Sequence, residues 1–255
     1  MKHVIGQGHK ELKRLFKHNE SLISKFLESE IRLFHSLFDI QQKLLKNHIS
    51  WIFDPYYGLT SSRKIVFQSC LKNSDLLFTS NNLIVQGHFG AAMIITRQIF
   101  EFLLMGKYCF LVHKEGFVNR WLDGKQVDIY NEVVKKSLMK PDKKNFTEFW
   151  AMICNFTHAT TSSNQGSFNF ESNQDQILST YHILLLLLCC NYHLLNRCAL
   201  DRRLAYRSEE FGGHKAENSR LKKAAKLVIA EIRLKSSKKG TDFIKDYCGR
   251  WEYKV

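Results

Sequence analysis

Only two prolines, Pro55 and Pro141, occur in 255 residues, so almost nothing in this chain stops a helix once it has started. The apolar residues recur at helical spacing. Over residues 10–50, Leu12, Leu15, Leu22, Phe26, Leu33 and Leu37 form one stripe with Lys and Glu between them. That stripe predicts one long helix or two consecutive ones. The segment WIFDPYYGLTSS (51–62) interrupts it with Pro55 and Gly58, and Ser61 or Ser62 is placed to cap a helix running to about Leu77. TSNNLIVQGHFG (79–90) reads as a connection, and an apolar helix over 90–112 follows. Next come an amphipathic helix through Trp121, Val127, Tyr130, Val134 and Leu138 that stops before Pro141, and a shorter helix over 146–156. A polar Ser/Thr/Asn-rich loop (157–174) separates it from a strongly apolar helix over 175–200. The expectation is an all-α helical bundle with a long N-terminal helix and a basic C-terminal helix. Its organisation is an N-terminal helical arm (1–58), a central bundle (59–208) and a basic C-terminal segment (209–255).

Composition supports a folded core. The chain is 44% hydrophobic and 13% aromatic with 19 Phe, which excludes disorder and collagen-like structure. Seven scattered cysteines, odd in number, argue against a disulfide scaffold and for a reducing, cytoplasmic setting. The first residues lack an apolar stretch and a small-residue cleavage site, so no signal peptide is expected. The most apolar run, YHILLLLLCCNYHLL (181–195), has an uninterrupted core from Ile183 to Cys190 only. That is far short of the ~20 residues of a membrane span, so it reads as a central buried helix, with a membrane-associated protein as the least favoured alternative.

The formal net charge is +14. Half of it lies beyond residue 200, where 15 Lys and Arg face 8 Asp and Glu, a net of +7. Leu221, Ala225, Val228 and Ile232 keep an apolar helical seam there, and Lys222, Lys223, Lys226 and Arg233 lie off it. Such a face either binds a phosphate backbone without sequence preference or is simply solvated.

Two further groups of residues need a chemical account. Arg97 and Glu101 are one turn apart on an otherwise apolar helix. They serve either as a structural ion pair or as a rigid guanidinium fork for a phosphate or carboxylate, held in place by Glu101. His158 ends FWAMICNFTHATTSS, where a helix C-terminus favours the protonated imidazole, with Asn155 three residues earlier. That pair suits a general acid or base with an orienting amide, or a loop anchor. His88, His113, His182 and His193 form no HxxxH or HxH pair, and no P-loop, dinucleotide-binding, nucleophile-elbow or zinc motif occurs. No metal and no cofactor are expected.

The ordered set of Arg97 and Glu101 in AAMIITRQIFEFLLMGKYCF, the charged segment FVNRWLDGKQVDIYNEVV, and FWAMICNFTHATTSS resembles bacterial helical families of unknown function related to the HEPN class (higher eukaryotes and prokaryotes nucleotide-binding). The resemblance spans about residues 60–200. Members are helical bundles, often homodimers, and many are metal-independent ribonucleases of phage-defence or toxin-antitoxin systems; others are binding modules. The chain departs from the usual signature of an Arg followed after four to six residues by His. No His stands there after Arg97, and none follows Arg197 before His214. The resemblance implies a catalytic set of Arg97, Glu101, His158 and Asn155 and a nucleic-acid partner that is RNA rather than DNA; outside its span, the charge pattern makes Lys222, Lys223, Lys226 and Arg233 the expected nucleic-acid-binding face. The alternative is a non-catalytic module that meets a protein partner, with Arg97, Glu101 and His158 structural.

Overall fold

The computed structural model of the chain describes residues 2–53, 61–112, 115–125, 127–128, 131, 147–154, 170, 173–199 and 212–249. All of its long elements are helices: α1 (Lys2–Phe26), α2 (Glu28–Phe53), α3 (Ser61–Val85), α4 (Phe89–Val112), α5 (Glu115–Leu122), α6 (Gln174–Ala199), α7 (Gly212–Lys235) and α8 (Lys238–Gly249). Residues 147–154 form a further helical segment. The protein is all-α.

Helix α6 lies at the centre. Its leucine run has no polar face, so it is stable in water only if covered on every side. Helices α2, α3, α4, α7 and α8 all pack on it, and every residue from 184 to 192 is buried. The covering side chains, among them Phe34 and Leu44 of α2, Phe67 and Leu77 of α3, Phe100 and Leu103 of α4, Ala225 and Ile232 of α7 and Ile244 of α8, join one continuous apolar cluster with it. The seam read on α7 faces inward, with Ala225 and Ile232 fully buried.

Among the described residues, two helices contain stretches long and apolar enough to cross a membrane, Phe89–Cys109 and Gln174–Arg197. The uninterrupted run in α6 is short, but the helix that holds it has 26 residues. In the bundle 72% of the most apolar window of α6 and 56% of that of α4 are buried.

The observed elements differ from the sequence expectation in two places. Helix α3 continues through TSNN to Val85 instead of ending near Leu77. Three polar side chains of this added stretch have partners within the helix or on its neighbours: Thr79 Oγ1 donates to Asp75 O (2.8 Å), Ser80 Oγ to Ala92 O (3.3 Å), and Asn81 Oδ1 accepts from the Tyr181 hydroxyl (2.5 Å). The helix stops at Gly87, whose φ of 85° is in the left-handed region that favours glycine. Gly87 N donates to Ile84 O (2.9 Å) and His88 N to Leu83 O (2.7 Å), the paired bonds of a Schellman cap. The second departure is at Trp121. The helix expected to run on to Leu138 ends at Leu122 and is capped by Gly124 (φ 69°), where Gly124 N donates to Trp121 O (3.1 Å) and Lys125 N to Arg120 O (2.9 Å). Val127 therefore lies outside that helix, and Tyr130, Val134 and Leu138 lie outside the described residues. At the N-terminus, two consecutive helices meet at the fully buried Leu27, and helical hydrogen bonds pass through the junction.

Polar contacts set the registers. In the core, Asn73 Nδ2 donates to Asn191 Oδ1 (3.2 Å), Asn191 Nδ2 to Cys70 O (3.4 Å) and Gln41 Nε2 to Ser74 Oγ (2.8 Å), tying α2, α3 and α6 together. Helix α7 is fastened antiparallel to α2 at both ends. Asn47 Nδ2 donates to Asn218 Oδ1 (3.0 Å) and Glu217 Oε2 (3.2 Å), and Lys235 Nζ donates to Glu30 Oε1 (2.9 Å) and Ser29 Oγ (2.7 Å). Helix α8 docks on α4 through Tyr247, whose hydroxyl donates to Leu103 O (3.0 Å) while Lys107 Nζ donates to Tyr247 O (3.3 Å) and sits 4.9 Å from its ring centroid.

Leu187 is fully buried in α6, so Leu187→Ala is expected to lower unfolding free energy by about 2–5 kcal/mol in urea denaturation. Burial alone would push the Glu30 carboxyl up, but hydrogen bonds from Lys235, Ser29 and a backbone amide, with the Lys235 charge, outweigh it and hold the group below its ordinary value. A carboxylate depressed on folding stabilises the protein above its unfolded pKa, and that contribution disappears as pH falls through the folded one. The stability difference between wild type and Glu30→Gln should therefore shrink as pH is lowered from about 6 to about 3. A constant difference across that range would show that the Glu30 charge does not stabilise the α2–α7 junction.

Candidate functional site

Helix α4 buries much of its circumference, and past its first residues Ile94, Arg97, Gln98 and Glu101 form an exposed to partly exposed ridge. At 100° per residue these four fall on one side of the helix. Arg97 Nε donates to Glu101 Oε1 (3.0 Å), one turn on, and the two side chains are 31% and 29% exposed. The pair is thus at the surface, where a ligand can reach it.

Two tryptophans flank the ridge. Phe100 and Phe102 are 200° apart on α4 and project to opposite sides of it. The Phe100 ring lies 6.2 Å from that of Trp150 and 4.8 Å, edge-on, from that of Phe149, which anchors the 147–154 segment. Phe102 meets Trp121 edge-to-face at 5.9 Å. Both tryptophans are partly exposed, and the Arg97 guanidinium carbon lies 5.5 Å from the Trp150 ring centroid. Exposed Arg120 adds positive charge beside Trp121, while Lys125 is ion-paired with Asp123 (3.6 Å). An Arg fork with planar aromatic surfaces on either side can hold a phosphate and stack bases, the two contacts by which single strands are bound without sequence reading.

Asn155 and His158 lie outside the described residues. The residue before Asn155, Cys154, lies in the electrostatic field of both Arg97 and Glu101. Burial pushes its thiol up, Arg97 pulls it down and Glu101 pushes it up again, with the net result above the ordinary value. Cys154 is therefore kept as the neutral thiol and is not an activated nucleophile.

The basic face of α7 is a separate feature. Lys223 and Lys226 are exposed, Lys222 is partly covered and its ammonium pulled down by burial, and Arg233 is partly buried with Nε enclosed and without a hydrogen-bond partner. Its main neighbours are α2 and α6, so the structure does not bring these cations into contact with the Arg97 ridge. His182 and His193 are partly buried at the edge of the core on α6. Among the described residues, no three His, Cys, Asp or Glu side chains are placed to hold a metal ion.

Of the site residues expected from sequence, the structure joins Arg97 and Glu101. It adds Trp150, Trp121 and Cys154, which sequence reading passed over. The available signal was the placing of Trp150 between Phe149 and Cys154 on the helix that leads to His158, but its partner on α4 is about 50 residues away. Comparison with known proteins found no matching family model, no matching curated protein and no matching solved structure.

Because the Arg97–Glu101 pair is one-third exposed, solvent screening keeps its contribution to stability small. Glu101→Gln is expected to change unfolding free energy by no more than about 1 kcal/mol, read from chemical denaturation. A loss of several kcal/mol would identify the pair as structural.

Proposed function

We propose that this chain is a HEPN-like, RNA-directed protein of a bacterial phage-defence or toxin-antitoxin system, acting in the cytoplasm as a metal-independent ribonuclease. The observation that carries the reading is the ridge on α4: an ion-paired arginine open to solvent, with a partly exposed tryptophan on each side. A phosphate and its flanking bases fit such a surface, and the overall charge of +14 favours a polyanionic partner.

Metal-free RNA cleavage requires a base to take the 2′-hydroxyl proton, a cation to stabilise the charge developing on phosphorus, and an acid for the leaving oxygen. In this reading His158 moves the proton with Asn155 orienting its ring, Arg97 stabilises the phosphorane oxygens, and Glu101 fixes the plane of the fork. Lys222, Lys223, Lys226 and Arg233 extend the non-specific electrostatic contact. The homodimer of the HEPN class is part of the same proposal.

A second reading, a non-catalytic interaction module, is favoured by α7. Its outer face carries Leu227 and Leu234, 74% and 87% exposed, beside the lysines, a combination that also suits a protein partner.

A labelled single-stranded RNA pool separates the two. Binding by fluorescence anisotropy is expected to weaken about tenfold or more in Arg97→Ala and in Trp150→Ala, in line with stacking worth ~1–3 kcal/mol per base, and to fall steeply with salt. Cleavage in EDTA should be abolished by His158→Ala with an unchanged melting curve, since a proton-transfer group contributes ~10² to 10⁴ in rate. RNA binding that depends on Arg97, without cleavage by the wild type, would leave a binding module. No binding at low salt would remove nucleic acid altogether.

A further inference from the structure

On the other side of the 147–154 segment from the Arg97 ridge is a cavity of about 370 Å³, open to solvent on one side and lined by that segment, α6 and the start of α8. This volume is within the ~300–1,000 Å³ range of small-molecule sites. One wall is apolar, made by Phe149, Ile183, Leu186 and Phe243, with the rings of Phe149 and Phe243 stacked at 4.5 Å.

The polar part of the lining is concentrated at the beginning of α8. Ser236, Ser237 and Lys239 line the cavity there. Helix α8 is twelve residues long, and the first amides of a helix have no acceptor within it. Ser237 Oγ accepts from Gly240 N (3.2 Å), which caps one of them and leaves the amides of Lys238 and Lys239 without a helical acceptor. The Ser236 hydroxyl already donates to Ile232 O (2.7 Å). Opposite, on α6, Ser179 is exposed at the edge and His182 forms part of the wall, with an enclosed Nε2 that has no hydrogen-bond partner. Among the described residues the lining holds one carboxylate, Glu148, and one ammonium, Lys239, both exposed to solvent.

We infer that this cavity is a binding site for a small organic anion with an apolar body, its charged head at Lys239 and the α8 amides and its body against Phe149, Leu186 and Phe243. An apolar wall with one cationic end selects against both inorganic anions, which lack the body, and neutral apolar molecules, which leave the amides unmet. The site does not depend on the RNA reading. It uses the opposite side of the segment that presents Trp150 to the ridge, and its test involves no nucleic acid.

The probes are octanoate and its uncharged counterpart 1-octanol, titrated calorimetrically into the full chain. Octanoate is expected to bind, Lys239→Glu to weaken it about tenfold or more, and the affinity for 1-octanol to be unaffected by that change. Ser179→Trp at the edge and Met152→Trp in the wall are each expected to block octanoate, with melting curves reported for every variant. Failure of octanoate to bind the wild type overturns the site. Binding that survives both tryptophan variants places it elsewhere on the protein and overturns the assignment, as does a Lys239→Glu effect equal for the two probes, which would mean that the charged head is not read.

Discussion

A helix that is apolar around its whole circumference has to be wrapped, and α6 imposes that requirement on everything else in the bundle. Leu184, Leu185, Leu186, Leu187 and Leu188 point in turn all the way round the axis, and all five are buried, so that stretch leaves no direction in which water is acceptable. Five of the described helices supply cover. Burying a leucine side chain is worth roughly 1.5–3 kcal/mol, so the run in α6 is a large part of what draws its neighbours onto it. Helix α8 shows this most directly, since it presents Phe243, Ile244 and Tyr247 to a surface assembled from α4 and α6.

Leucine against leucine does not specify how far one helix slides past another, because apolar contact is non-directional. The buried polar residues do. Asn73 with Asn191, Gln41 with Ser74 and Asn81 with Tyr181 each satisfy a hydrogen bond in only one register. That specificity has an energetic cost. Gln41 Oε1, Ser69 Oγ and Asn73 Oδ1 are enclosed without a hydrogen-bond partner, and an unmet buried group costs about 1–3 kcal/mol. At the periphery, Glu30 and Lys235 play the same part for α7, with Ser29 completing the junction.

The 147–154 segment separates two surfaces of different chemistry. Trp150 turns toward Arg97, while Phe149 and Met152 turn toward the cavity beside α8. Alternate residues of one helix face different neighbours, so a short element serves both without sharing a side chain between them. Arg97 and Glu101 were legible as a pair because their spacing alone puts them on one helical face. The tryptophans were not, because nothing local relates Trp150 to Arg97 or Trp121 to Phe102; those contacts exist only once the elements are packed. The cavity was hidden for the same reason, with its lining drawn from residues 148–152, 179–186 and 236–243.

Sequence by itself determined the all-helical class, the burial of α6 and the inward seam of α7, because helical periodicity and the scarcity of proline are properties of neighbouring residues. Tertiary structure decided where α3 ends. The TSNN segment disfavours helix locally, and it is helical here because Ala92 and Tyr181, which are 12 and 100 residues from their partners, meet Ser80 and Asn81. Gly124 decided the end of α5 by local conformation, since its left-handed backbone turned the chain before the apolar spacing of Val127 could continue the helix. Whether Arg97 would be buried in a core or open to solvent was settled by packing, because that depends on which side of α4 the other helices leave uncovered, and no spacing within α4 records it.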